Sequence, residues 1–141
     1  MNEFVCCSIG DRPLLDTLIK TAEKRLSAEP DLLDNLKICL KELLANIREH
    51  SYHLNPRRNV YLQLIINPNK VIAIIIHGGD GWRDNGFVYY SNPQQKMEEL
   101  LLDGQERGRG QLMIYMCSDR FQYKDDGRVC ILTWNRGVQC V

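Results

Sequence analysis

Hydrophobic positions along the 141-residue chain switch between two periods, and the switch points lay out its elements. Glu3 to Ser8 reads as a strand, after which Asp11 opens a helix as N-cap with Pro13 in its first turn, where the missing N–H is not needed. Leu14, Leu15, Leu18, Ile19, Ala22 and Leu26 give that helix one apolar face. Glu29-Pro30-Asp31 restarts the chain into a longer helix reaching about His50, in which Leu36, Leu40, Leu43 and Ile47 form a stripe that faces a core. The period then changes to two. Val60, Leu62, Leu64 and Ile66 alternate with Tyr61, Gln63 and Ile65, the turn Asn67-Pro68-Asn69-Lys70 follows, and Val71 to Ile76 returns, which predicts a β-hairpin. A short helix is expected near Gln95 to Leu102 and another from just after Gly110 to about Ser118. A second hairpin closes the chain, with strands Phe121 to Lys124 and Val129 to Trp134 joined through Asp125-Asp126-Gly127-Arg128. This order predicts an α+β two-layer sandwich, with helices on one face of a mostly antiparallel, mixed sheet.

Composition narrows the class. At this length about 68% of the unfolded surface can be buried, so one core and one domain over residues 1–141 are expected. Apolar residues at 44%, charged residues at 26% and a balance of 18 basic against 18 acidic side chains exclude disordered, collagen-like and coiled-coil readings. Zero net charge gives no general attraction to phosphate backbones or anionic lipid, so neither direct nucleic-acid binding nor membrane binding is expected as the main function. The longest apolar run, Val71 to Ile76, falls far short of the ~20 residues of a membrane span. Met1-Asn2-Glu3-Phe4 has neither the basic start nor the apolar core of a signal peptide, and a cytoplasmic location is expected. None of the six cysteines (Cys6, Cys7, Cys39, Cys117, Cys130, Cys140) forms a C-x-x-C pair, so they are expected as reduced thiols acting as small hydrophobes.

Three segments could carry chemistry. Glu42, Asn46 and His50, four residues apart on the long helix, stack along one polar strip beside the buried stripe. The strip reads either as a solvated flank or as a working edge; a mid-helix Asn, a weaker helix former by roughly half a kcal/mol, is a cost that calls for a reason. His77-Gly78-Gly79-Asp80-Gly81 ends the second strand of the first hairpin, and its glycines suit either a plain loop or a backbone that turns sharply or closes on a ligand. Arg107-Gly108-Arg109-Gly110 leads into a helix, where glycine amides and the helix dipole can form an anion site, though a flexible turn has the same composition. Seven of the ten glycines fall between positions 78 and 110, which marks that stretch as a mobile, functional loop. Glu49, His50 and His53 match no zinc spacing, and neither a Gly-x-Ser-x-Gly nor a Walker sequence occurs.

In order, these segments resemble the nucleotide site of the histidine kinase-like ATPase superfamily, the Bergerat fold of gyrase, heat-shock chaperones, histidine kinases and MutL, and in particular its anti-sigma factor serine/threonine kinase branch. Glu42-Leu43-Leu44-Ala45-Asn46-Ile47-Arg48-Glu49-His50-Ser51-Tyr52 is similar to that branch's E-x-x-x-N-x-x-x-H-x-Y segment. His77-Gly78-Gly79-Asp80-Gly81 falls where the family has D-x-G-x-G, and Glu106-Arg107-Gly108-Arg109-Gly110-Gln111-Leu112-Met113-Ile114 where it has E-R-G-x-G-L-x-L-I. The resemblance spans essentially the whole chain. It implies ATP and Mg²⁺ as cofactors, with Asn46 holding the metal, Glu42 as the general base, Gly108 and Gly110 presenting amides to the phosphates and Arg107 neutralising charge near the γ-phosphate. His50, His77, Gly79 and Gly81 fall with the nucleotide-binding motifs, and residues from about 82 to 107 would form the ATP lid. It further implies a switch that phosphorylates a STAS-domain antagonist, with a sigma factor as second partner and a homodimer as the usual state. A catalytically degenerate module that regulates by binding a partner without phosphotransfer is the alternative.

The chain departs from the family pattern on the base side. His77 stands where the family carboxylate accepts a hydrogen bond from the adenine amino group, and a neutral imidazole accepts only one bond, a protonated one none. Gly127-Arg128-Val129-Cys130 stands where many members carry a Gly-Thr step, whose hydroxyl also serves adenine. Asp80 is the nearest substitute acceptor in sequence. Ile47 and Arg48 replace an Ala and an apolar residue.

Overall fold

The alternation of apolar residues in the two hairpins produces a five-stranded sheet, and the 3.6-residue stripes lay their helices on one side of it. The computed structural model describes residues 2–8, 12–51, 59–80, 95, 98–99, 102 and 109–137. Strand β1 is Asn2–Ser8, followed by helices α1 (Arg12–Arg25) and α2 (Pro30–Asn46), strands β2 (Asn59–Ile66) and β3 (Lys70–His77), helix α3 (Arg109–Cys117), and strands β4 (Arg120–Lys124) and β5 (Val129–Asn135). Gln95, Glu98, Glu99 and Leu102 are helical, at the positions of the predicted short helix.

The sheet order is β1-β2-β3-β5-β4, and every pairing in it is antiparallel. The sheet is therefore not mixed. β4 runs in the same direction as β3, but β5, the return strand of the second hairpin, inserts between them and removes the one parallel neighbour the chain order allowed.

Leu62 sits opposite Ile75 and Ala73 opposite Leu132, and all four are buried on the face that receives the helices. Against them pack Leu18 and Ala22 of α1, Leu26 just past its end, and Leu36, Leu40, Leu43 and Ile47 of α2 and its continuation. Full burial of each such side chain stabilises by about 1.5–3 kcal/mol, and this stripe sets the rotation of α2. Cys39 and Cys130 lie fully buried in the same core as free thiols, and burial pushes both well above the ordinary thiol range, so they behave as small hydrophobes.

Local chemistry fixes the start of α2. Pro30 occupies its first turn with Asp31 beside it, both favourable at a helix N-terminus. Glu29 makes no side-chain cap; its carboxylate instead accepts the Arg136 Nε–H at 3.1 and 3.2 Å, while Arg136 Nη1 donates to the Asn67 carbonyl at 3.0 Å. One guanidinium thus ties the start of α2 and the β2–β3 turn to the end of β5. In that turn Asn67 Oδ1 accepts from the Asn69 and Lys70 amides at 3.0 and 2.9 Å, the expected use of a turn asparagine.

The other end of α2 differs from expectation. The α-helix stops at Asn46, and Ile47–Ser51 continue as a π-helical turn. Such turns are rare and concentrate at functional sites. Asp11, the expected cap of α1, lies outside the described residues. No helix among the described residues is long and apolar enough to cross a membrane.

Candidate functional site

The polar strip of α2 comes together with the first turn of α3. Because Leu36, Leu40, Leu43 and Ile47 commit one face of α2 to the sheet, Glu42 and Asn46 are left along its flank, half-buried, and α3 packs against that flank. Gly110 is the second residue of α3 rather than the residue before it. A Cβ added there would lie 2.6 Å from Glu42 Oε2, 3.7 Å from Glu42 Cδ and 3.7 Å from Asn46 Oδ1. Glycine at 110 therefore lets the helix backbone approach a carboxylate and an amide oxygen at once. The meeting point sets two oxygen groups beside the positive end of a helix: the Asn46 amide oxygen is a hard donor suited to Mg²⁺ shared with phosphate oxygens, and the Glu42 carboxylate is placed to accept a proton. No group of three or more His, Cys, Asp or Glu side chains that could hold a metal by themselves occurs among the described residues.

A second cluster forms where β3 ends. His77 is 4% exposed, and its ring is engaged on both sides. Nε2 lies 3.0 Å from the Gly127 carbonyl and the Gly79 amide donates to Nδ1 at 3.2 Å. Only the neutral tautomer with its proton on Nε2 satisfies both contacts. Burial is the largest influence on this group and holds its pKa below the ordinary histidine value; the Gly127 carbonyl acts the other way, and nearby Arg128 adds to the lowering. The backbone makes the same connection, with the His77 amide donating to the Arg128 carbonyl at 3.0 Å. Arg128 reaches back, its Nε–H donating to the Gly79 carbonyl at 2.9 Å.

The turn between β4 and β5 is unusual in its backbone. Asp125, Asp126 and Gly127 have φ of 52, 53 and 86°, three consecutive residues in the left-handed region. Two of them carry side chains, a conformation that costs about 1–3 kcal/mol each and persists where the surroundings over-determine it. Here His77 and Arg128 do so. By contrast, Gly78 does not turn through left-handed backbone, and a Cβ there would meet no atom of the described residues within 4 Å.

Of the residues singled out in the sequence, Glu42, Asn46 and Gly110 meet at one point, while His77 and Gly79 belong to the second cluster. His50 lies in the π-helical turn. Gly81, Arg107, Gly108 and most of the expected lid at 82–107 lie outside the described residues. In the sequence Arg128 stands out only as a departure from the family pattern, and its bond to Gly79 is not legible there; the one signal is a long cation placed where a small hydroxyl is expected. A cavity of about 230 Å³, lined in part by Leu32, Asn35 and Met116, sits beside the N-terminal half of α2, away from Glu42 and Asn46.

Comparison with curated proteins gave no match. Comparison with known families matched residues 13–134, nearly the whole of the frame that carries both clusters. With the two-layer fold, the polar strip of α2 and the glycine approach of α3 in view, the chain belongs to the histidine kinase-like ATPase domain family.

Proposed function

We propose that this chain binds Mg-ATP and acts as a serine/threonine protein kinase of the anti-sigma type, phosphorylating a STAS-domain antagonist, with a sigma factor as its other partner and a homodimer as its working state. The observation that carries the reading is the convergence of Glu42, Asn46 and Gly110. Asn46 Oδ1 would hold Mg²⁺, which supplies charge neutralisation on the phosphate oxygens. Glu42 would take the proton of the acceptor serine hydroxyl as that oxygen bonds to the γ-phosphorus; the bond from phosphorus to the β,γ-bridging oxygen breaks and ADP leaves. Membership in an ATPase-domain family supports nucleotide binding. The kinase step, the STAS partner and the roles of Arg107 and Gly108 rest on motif resemblance.

A second reading has a specific observation in its favour. The His77 ring is engaged by backbone groups where the family uses a carboxylate toward adenine, which suits a module that binds a partner protein without phosphotransfer. Two measurements separate them. Calorimetric titration with ATP, with and without Mg²⁺, should give magnesium-dependent binding that Asn46→Ala abolishes; no binding of either ATP or GTP at millimolar concentration would sink the nucleotide reading. Transfer of labelled γ-phosphate to a STAS-domain acceptor should fall at least ~100-fold in Glu42→Gln, and binding with no transfer would establish the second reading.

A further inference from the structure

The base end of the site, taken on the reading above that this is a nucleotide site, holds donors where adenine needs an acceptor. His77 Nδ1 has a single in-plane lone pair, and the Gly79 amide occupies it. The proton on Nε2 is directed at Gly127. Among the described residues, the side-chain donor at this end is Arg128. Its Nε–H is taken by the Gly79 carbonyl, and Nη1 reaches the Asp125 carbonyl at 3.4 Å and the Asp125 carboxylate at 3.5 Å. Nη2 has no hydrogen-bond partner among the described residues, and the side chain is only 34% exposed. A guanidinium anchored on two of its nitrogens and open on the third is a fixed donor. It is tied to the loop after β3 through the Gly79 carbonyl, in a turn whose left-handed backbone it helps to hold.

We propose that Arg128 is a specificity-determining residue, and that the site prefers a purine with a carbonyl at its six position, as in guanine or hypoxanthine, over adenine. The physical reason is donor–acceptor matching. With Nε and Nη1 engaged, Nη2 offers one charge-assisted hydrogen bond to the six-carbonyl, and leaving such a donor unpaired costs about 5- to 100-fold in affinity. Adenine offers an amino group at the same position, and donor facing donor leaves both without a bond. The acceptor closest in sequence is Asp80, which is exposed on the loop after His77. Its carboxylate is the competing base contact, and it would favour adenine.

The test is competition of ATP, GTP and ITP against a fluorescent nucleoside triphosphate on the full chain in Mg²⁺, for the wild type, Arg128→Ala, Arg128→Gln and Asp80→Asn. GTP and ITP should displace the probe at concentrations about 5- to 100-fold lower than ATP. ITP should follow GTP, because the six-carbonyl is what they share. Both Arg128 variants should bring the three nucleotides to within about two-fold of one another, by weakening GTP and ITP more than ATP. Wild-type protein that binds ATP as tightly as GTP overturns the proposal, and so does a GTP preference that survives both Arg128 variants. An ATP preference lost in Asp80→Asn would assign the base contact to Asp80 instead. If none of the three competes at millimolar concentration, the nucleotide-site reading itself falls, and the proposal with it. Should the alanine variant fail to fold, the wild-type ratio and the glutamine variant decide.

Discussion

Replacing Gly110 by alanine should separate the stability of this protein from its activity. The added Cβ would stand 2.6 Å from Glu42 Oε2, whereas ordinary contact begins near 3.4 Å, so the carboxylate has to give way. The atom in the way is the far end of a flexible side chain, and a displacement of roughly 1 Å relieves the clash at a rotamer cost of about 0.5–1.5 kcal/mol. Against this, alanine in a helix is favoured over glycine by about 0.5–1 kcal/mol, and Gly110 has no left-handed backbone to lose. The two terms nearly cancel. The net effect should stay within about 1 kcal/mol, a few degrees in melting temperature for a domain of this size. Chemistry is less forgiving, since a misplacement of about 1 Å in a reacting group can lower a rate by about 100-fold. Circular-dichroism melting should therefore place Gly110→Ala close to wild type, while Mg-ATP turnover and phosphotransfer fall by about two decades. A variant that melts normally and also turns over at the wild-type rate would refute the assignment of Glu42 and Gly110 to one working site. A variant that unfolds would show that the contact is structural.

The core and the His77 cluster give further expectations. Leu43→Ala, at a fully buried position on the α2 stripe, should cost about 2–5 kcal/mol in urea unfolding; a loss under about 1 kcal/mol would mean that α2 is not anchored there. His77 is held neutral, with its pKa below that of the unfolded chain. Its contribution should thus be complete above the ordinary histidine pKa and fade as the pH falls through the lower folded value. The pH dependence of unfolding free energy between about pH 5 and 7 should be shallower in His77→Gln, which keeps a donor and an acceptor but does not titrate; identical slopes would remove His77 as the source. Trp134→Phe deletes the indole N–H that donates to the Cys117 carbonyl at 2.7 Å, and should destabilise by about 1–3 kcal/mol with the same fold by circular dichroism.

Whatever local periodicity can express is legible in the amino-acid order alone. The Leu36-Leu40-Leu43-Ile47 stripe announces both α2 and the face it buries, and in doing so it places Glu42 and Asn46 on the flank. The two-residue alternation of β2 and β3 announces their shared inner face in the same way. Glycine at 110 is visible as a candidate because its spacing from the polar strip resembles a known pattern. Features that depend on residues far apart in the chain are not legible in this way. β5 inserts between β3 and β4 because long-range pairing selects among strand orders that share one hydrophobic pattern. α2 ends in a π-turn at Ile47–Ser51, where the local sequence pattern carries the α-helix on to His50. His77 reads in sequence as a lost acceptor. Only the fold brings the carbonyl of Gly127, 50 residues on, to its Nε2, and Arg128 to the carbonyl of Gly79. The sequence determined the helical and strand faces because burial is periodic along the chain; tertiary structure decided the partners of His77 and Arg128 because hydrogen bonds form between whatever groups the folded sheet makes neighbours.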